Sequence, residues 1–122
     1  MKIKKNPTIW LLNPELHDFP AASDYLDLHF DNIKVKEIIS RLKEVETIKK
    51  KAKDILRASG LPLLPKSNIH VKQNLKKVKD GELLSPVLLV RHTHKLIIAD
   101  GYHRVCAIYY LSEDLEIPCR IS

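Results

Sequence analysis

Cysteine is scarce in this chain: Cys106 and Cys119 are the only two among 122 residues. Two thiols cannot staple a secreted scaffold, so the sequence points to a reducing cytoplasm. No apolar run approaches the ~20 residues of a membrane-spanning helix. The stretch behind the basic start MKIKK is apolar only over Ile9–Leu12, too short for the core of a signal peptide, and no membrane partner is expected. Aromatic residues make up 6%, which leaves little of the aromatic–basic interleaving that single-strand nucleic-acid binders use. There is no internal repeat and no low-complexity tract beyond a short lysine run. What remains is an ordinary globular composition, with 44% hydrophobic and 30% charged residues. A chain of this mass has material for one real core and not for two.

Charge is unevenly placed. The net +6 arises from residues 34–79, where 14 basic and 4 acidic groups give +10, while the segments on either side each carry −2. Two readings stand for the basic segment: a solvated lysine face, or a face for a polyanion or nucleotide phosphate. Most of these cations are Lys, a hydrated point charge, rather than Arg with its planar fork.

Hydrophobic spacing divides the chain into elements. Pro7, Pro14 and Pro20 make residues 1–20 an extended arm with one short strand or turn packed by Trp10. Pro20 is placed for a helix start, predicting a short helix over 21–30. Ile33, Ile38, Ile39, Leu42 and Val45 form one stripe of a helix over 32–45. TIKKKAK (47–53) reads as an edge strand whose lysines guard the edge. DILRASGLPLLPK, with Gly60, Pro62 and Pro65, reads as a loop with at most one helical turn. Val71, Leu75 and Val78 predict a helix over 69–80, capped by Ser67 or Asn68 and ended by Asp80-Gly81. PVLLV (86–90) and LIIA (96–99) are wholly apolar runs and read as a hairpin of buried strands around the turn RHTHK. YHRVCAIYYL (102–111) reads as a helix and EIPCRI (116–121) as a closing strand. The expectation is an α+β fold: a small mixed β-sheet with packed helices, residues 47–122 forming the domain and residues 1–46 an N-terminal arm and helical extension, all in one compact unit.

The chemistry is concentrated in LIIADGYHRVCA (96–107). A buried strand ends at Ala99 and a helix starts about two residues later. Gly101 permits a sharp turn and close backbone approach. The first amides of the helix point outward unpaired, and the helix dipole favours an anion there. Arg104 can fork two phosphate oxygens. His103 can donate a hydrogen bond or move a proton near neutral pH. Asp100 either caps the helix or holds Mg²⁺. The bland alternative is an ordinary strand-to-helix junction with a solvated Arg.

DGYHRVCA behind LIIA, with EIPCRI after it, resembles the ParB/sulfiredoxin superfamily, whose members carry a Gly-x-His-Arg or Gly-x-Arg-Arg turn at this helix start and close with an "IP" strand. KAKDIL (51–56), HVKQNLKKV (70–78) and SPVLLV (85–90) resemble the family's first strand with its turn, its middle helix and its next strand, so the resemblance covers about residues 47–122. It implies a nucleotide phosphate held at the turn by Gly101, Tyr102, His103 and Arg104. The cofactor is then ATP or another nucleotide, with Mg²⁺, and His103 and Asp100 are the catalytic candidates. Activities in the superfamily range over sulfinic-acid repair, CTP-dependent DNA clamping, ADP-dependent serine phosphorylation and reported nuclease action. Sulfiredoxin has a reactive Cys where this chain has Tyr102, and ParB proper has a second Arg where this chain has His103. The closest spelling is the DGxHR turn of the free-serine kinase group. The resemblance also places Arg57 over the phosphates, with a surface salt pair as the alternative, and puts Ser67 and Asn68 beside the nucleotide, with plain helix capping as the alternative.

Cys106 lies one turn further along the helix, as a small core residue or a displaced nucleophile. His92-x-His94 shares one strand face, as a Zn²⁺ pair or as part of an exposed turn; no third ligand stands close in sequence, so no metal site is assigned. The expected function is nucleotide binding with phosphoryl transfer to an unknown small-molecule or protein acceptor. The alternative is a non-catalytic regulatory or nucleic-acid-binding module, with residues 1–46 forming a homodimer or partner face.

Overall fold

A computed structural model describes residues 8–122. The fold is α+β: five helices and a four-stranded mixed sheet. Residues 1–7 of the expected arm lie outside the described residues. Within the rest of the arm, Trp10 makes a parallel bridge to Leu84, tied by Leu11 N–H donating to the Leu84 carbonyl and Leu84 N–H to the Ile9 carbonyl.

The helix expected over 21–30 is α1, Asp18–Leu26. It starts two residues before Pro20, so Pro20 sits in the first turn, where its missing N–H leaves no helical bond unmade. It stops at Leu26 because Asp27, Leu28, His29 and Phe30 close successive turns back onto the Ser23, Tyr25 and Leu26 carbonyls. Helix α2, Asn32–Glu44, buries Ile38 and Leu42 of the predicted stripe and, beside them, Val35. Its N-cap is Asp31, whose carboxylate accepts from Lys34 N–H. Ile33, placed on the stripe by spacing, is exposed instead.

Strand β1 is Ile48–Lys51, exposed along its length. The next segment corrects the sequence reading. DILRASG is not a loop with one turn; Ala52–Ser59 forms the two-turn helix α3. Ala52, Ile55, Leu56 and Ser59 are buried at helical spacing, and Gly60 closes the helix at φ +69°. The lysines before it obscure this pattern because they belong partly to β1 and partly to the wet face of α3. Helix α4, Ile69–Lys79, is capped by Asn68, whose side-chain oxygen accepts from the His70 and Val71 amides at 2.9 and 3.2 Å. The remaining elements are β2 Val87–Arg91, β3 Leu96–Asp100, α5 Tyr102–Leu111 and β4 Glu116–Ile121.

The sheet order is β1-β4-β2-β3, with β4 parallel to β2 and antiparallel to β1, and β2 antiparallel to β3. The middle of the sheet is covered on both faces, which is why PVLLV and LIIA carry no polar alternation. On one face Val87, Leu89, Ile98, Ile117 and Cys119 pack with α3, α4 and α5. On the other, Leu88, Val90, Ile97 and Ala99 pack with Phe19, Ala22, Leu26, Val35, Ile38 and Leu42. Helices α1 and α2, read from sequence as an extension, thus form the third layer of the core. No helix is long and apolar enough to cross a membrane, among the described residues.

Arg120 joins this layer to the sheet. Its guanidinium donates to the Leu42 and Lys43 carbonyls at the end of α2, to Thr47 Oγ1 and to Asn13 Oδ1, at 3.0–3.2 Å. One side chain on β4 therefore closes a helix C-terminus and anchors the arm. Arg120→Met is expected to lower unfolding stability by about 2 kcal/mol, since acceptors lose charged donors. Urea denaturation checks this, and an unchanged midpoint would show that the clamp contributes nothing.

Candidate functional site

The turn between β3 and α5 is shaped by a bulge. Leu88 pairs with Asp100 but Leu89 with Ile98, so Ala99 is the extra residue. Bulges bend a strand and re-aim its side chains; here the strand end is delivered to Gly101. Gly101 is the N-cap of α5, at φ +113° and ψ 15°, a conformation other residues resist. A Cβ on it would lie 2.4 Å from Val87 Cγ1, 2.8 Å from Val87 Cβ and 3.0 Å from Arg104 Nη2. Only glycine lets the helix start this close to the central strand.

No side chain among the described residues caps α5. The N-cap carbonyl of Gly101 accepts from Val105 N–H at 3.0 Å, opening the helical ladder. The positive end of the helix is left without a carboxylate or hydroxyl cap.

Arg104 folds back over the turn. Its Nη2 donates to Asp100 Oδ2 at 2.8 Å, and both side chains are 17% exposed. Asp100 therefore takes a third role, neither capping α5 nor standing free for Mg²⁺: it holds the guanidinium. Burial raises the Asp100 pKa, outweighing the pull of Arg104 and adding to the influence of Asp18. Arg104 Nε is buried with no hydrogen-bond partner among the described residues. A buried donor without an acceptor is costly and calls for explanation.

His103 stands against His70, ring centroids 4.8 Å apart, and against Tyr102 at 5.7 Å. His70 is the second residue of α4 and His103 the second of α5, so the first turns of two helices meet here. Burial, His70 and Arg104 together hold the His103 pKa below its ordinary value. The surroundings therefore favour the neutral imidazole over the imidazolium. Tyr102 donates its hydroxyl to the Pro62 carbonyl at 2.5 Å, and Tyr110 to the Leu64 carbonyl at 2.6 Å. The Pro-rich loop is thus fastened over α5 by two tyrosines. Burial raises the Tyr102 pKa, in keeping with a phenol that serves as a donor.

The other sequence candidates lie apart. Arg57 is 85% exposed on the solvent side of α3 and pairs with Asp54 of its own helix at 3.4 Å. Asn68 is committed to capping α4, and Ser67 is exposed in the turn before it. Cys106 is fully buried in the core, and burial raises its pKa, the environment of an inert thiol. His92 packs edge-on against Phe30 at 5.1 Å. No group of three or more His, Cys, Asp or Glu is placed to hold a metal ion, among the described residues.

The sequence reading does not single out His70 or the acidic corner at Glu15–Asp18. Asp18 is 2% exposed at the start of α1 and accepts from Glu15 N–H. Glu15 in turn accepts from the buried Ser85. The electrostatic coupling of Asp18 and His17 to Asp100 brings this corner into the surroundings of the turn. Only the packing of α1 on β3 creates that proximity; no spacing in the sequence signals it.

Neither family models, nor curated proteins, nor solved structures match the chain.

Two predictions follow from this geometry. Gly101→Ala should cost about 2 kcal/mol through overpacking and backbone strain. The cost should be smaller in a Val87→Ala background, because that change removes the clashing methyl; equal costs in both backgrounds, by urea titration, would contradict the close approach. For His103, a folded pKa below the unfolded 6.5 means that stability is present above pH 6.5 and is lost as pH falls through the folded value. His103→Gln should flatten that acid-side loss, read from melting temperature against pH; an unchanged slope would overturn the assignment.

Proposed function

We propose that the chain binds the phosphate of a nucleotide at the Gly101–Arg104 turn. The observation that carries this reading is the buried Arg104 Nε, a charged donor with no acceptor, beside an uncapped helix start. A phosphoryl oxygen supplies the acceptor that both features lack. Asp100 occupies only Nη2 of the fork, at 2.8 Å, and Nε is left without an acceptor. The resemblance of DGYHR to the phosphate-binding turn of ParB/sulfiredoxin proteins supports the same assignment.

On this reading the roles divide by chemistry. The first amides of α5 and Arg104 bind the anion; Asp100 orients the guanidinium as a positioning residue. His103, held neutral by its surroundings, is the group able to take a proton from an acceptor hydroxyl. The reaction is phosphoryl transfer from ATP or ADP to a small acceptor, in which positioning and charge neutralisation dominate. The residues of the turn do not fit a protein-held Mg²⁺, because the one carboxylate of the turn is engaged by Arg104. Any magnesium would arrive on the nucleotide's own phosphates, and no step is assigned to it.

The alternative of a nucleic-acid-binding module gains less. The +10 segment is divided by the fold: α2 lies on one face of the sheet, α3 and α4 on the other, and β1 at the edge. The lysines therefore form no single stripe.

Titration calorimetry with ATP and ADP tests the proposal. Saturable binding at micromolar to millimolar nucleotide is expected, weakened at least tenfold by Arg104→Ala and unaffected by Arg57→Ala, whose side chain faces away into solvent. No heat at millimolar nucleotide, or equal binding by the Arg104 variant, would end it. Binding without turnover by mass spectrometry of candidate hydroxyl acceptors would favour the non-catalytic alternative.

A further inference from the structure

The free edge of the sheet carries a feature that the phosphate reading does not use. Strand β1 ends the sheet and pairs only with β4, among the described residues. One row of its backbone N–H and C=O groups therefore has no strand partner. Over the face of the β1–β4 pair lies an open groove of about 920 Å³, walled by Trp10 and Leu12 of the arm and lined by Lys49, Lys51, Asp114, Glu116 and Pro118. Lys49 and Lys51 are two apart and share the groove face, while Lys50 points to the other. Lys51 is balanced by Asp114, 3.9 Å away, which also pairs with Lys53 at 3.0 Å. Lys49 and Lys50 have no ion-pair partner among the described residues.

We propose that β1 is a docking edge for an extended acidic segment of another protein, which adds to the sheet as a fifth strand. Backbone bonding along β1 would give affinity, and carboxylates on one face of the incoming strand, beside Lys49 and Lys51, would give specificity.

Charge selects this occupant over the others. A second copy of the chain, pairing β1 with β1, would place lysines directly opposite lysines, which destabilises a sheet and is how proteins keep edges from self-association. Residues 1–7 carry Lys2, Lys4 and Lys5, the sign of the strand and not its complement. A nucleic acid offers negative charge but no backbone amides to continue the ladder, and the groove supplies a single aromatic ring for base stacking. An acidic peptide satisfies the edge and the lysines together. The inference is independent of the nucleotide site, which lies at the β3–α5 junction, while β1 is at the opposite edge of the sheet.

The experiment uses an eight-residue peptide of alternating Glu and Val, its counterpart with Lys in place of Glu, and an eight-nucleotide single strand as probes. Trp10, the one tryptophan of the chain, reports from the groove wall by fluorescence, and hydrogen exchange reports on the amides of residues 48–51. Saturable binding of the acidic peptide is expected, with slowed exchange in β1. The lysine peptide should bind at least tenfold more weakly. Lys49→Glu/Lys50→Glu, two exposed changes that should leave the fold intact, should weaken the acidic peptide at least tenfold; circular dichroism verifies the fold. The proposal is overturned if the acidic peptide does not bind at millimolar concentration, if the charge-reversed protein binds it equally, if β1 amides gain no protection, or if the oligonucleotide binds more tightly.

Discussion

The missing side chain at Gly101 governs the β3–α5 end of the molecule. Helix α5 can begin against the central strand only because nothing stands between that backbone and Val87. The same contact sets the direction of the first turn of α5. It places Arg104 one turn above Asp100, so that the guanidinium folds back over the turn, and brings His103 to His70. A residue with a Cβ would push the helix away from β2 and dissolve all three relationships.

A second constraint comes from burial of the sheet on both faces. Strands as apolar as Val87–Val90 and Ile97–Ala99 need a cover on each side. Helices α3, α4 and α5 supply one, and α1 and α2 the other. Since Arg120 ties the end of α2 to β4, the N-terminal helices are part of the core and also carry the Glu15–Asp18 corner toward the turn. The layer that completes packing thus also shapes the electrostatics around Asp100. The cover is incomplete over β1 and β4, and that is where the open groove lies. The two ends of the sheet differ in consequence: one edge strand leads into the Gly101–Arg104 turn, the other remains a lysine-lined edge.

The elements legible in the sequence were those with a strong local signal. Ile38 and Leu42 of the α2 stripe and the cap-to-glycine span from Asn68 to Gly81 read correctly, as did the paired apolar strands and the helix from Tyr102. Helix α3 was misread because Gly60, Pro62 and Pro65 suggested a loop and the lysine run suggested a longer strand; the burial of Ala52, Ile55, Leu56 and Ser59 outweighs both. The start of α1 was misplaced because Pro20 is equally at home anywhere in a first helical turn. At the site, Gly101, His103 and Arg104 were legible as a strand–turn–helix junction. The Asp100–Arg104 pair was not, since an Asp before a helix reads as a cap, and only the fold shows that the cap is absent.

What the sequence by itself determined is therefore local: which segments coil, which are buried as strands, where glycine must bend the chain, and which side chains with ionisable chemistry gather at that bend. These follow from the spacing of apolar residues and from conformational freedom, both properties of neighbours along the chain. The tertiary structure alone decided the partners. It gave Asp100 to Arg104, left one guanidinium nitrogen without an acceptor, set His70 against His103, and kept β1 at an open edge. Each depends on which surfaces meet across the core, and such meetings are set by the packing of whole elements, which no short stretch of residues encodes.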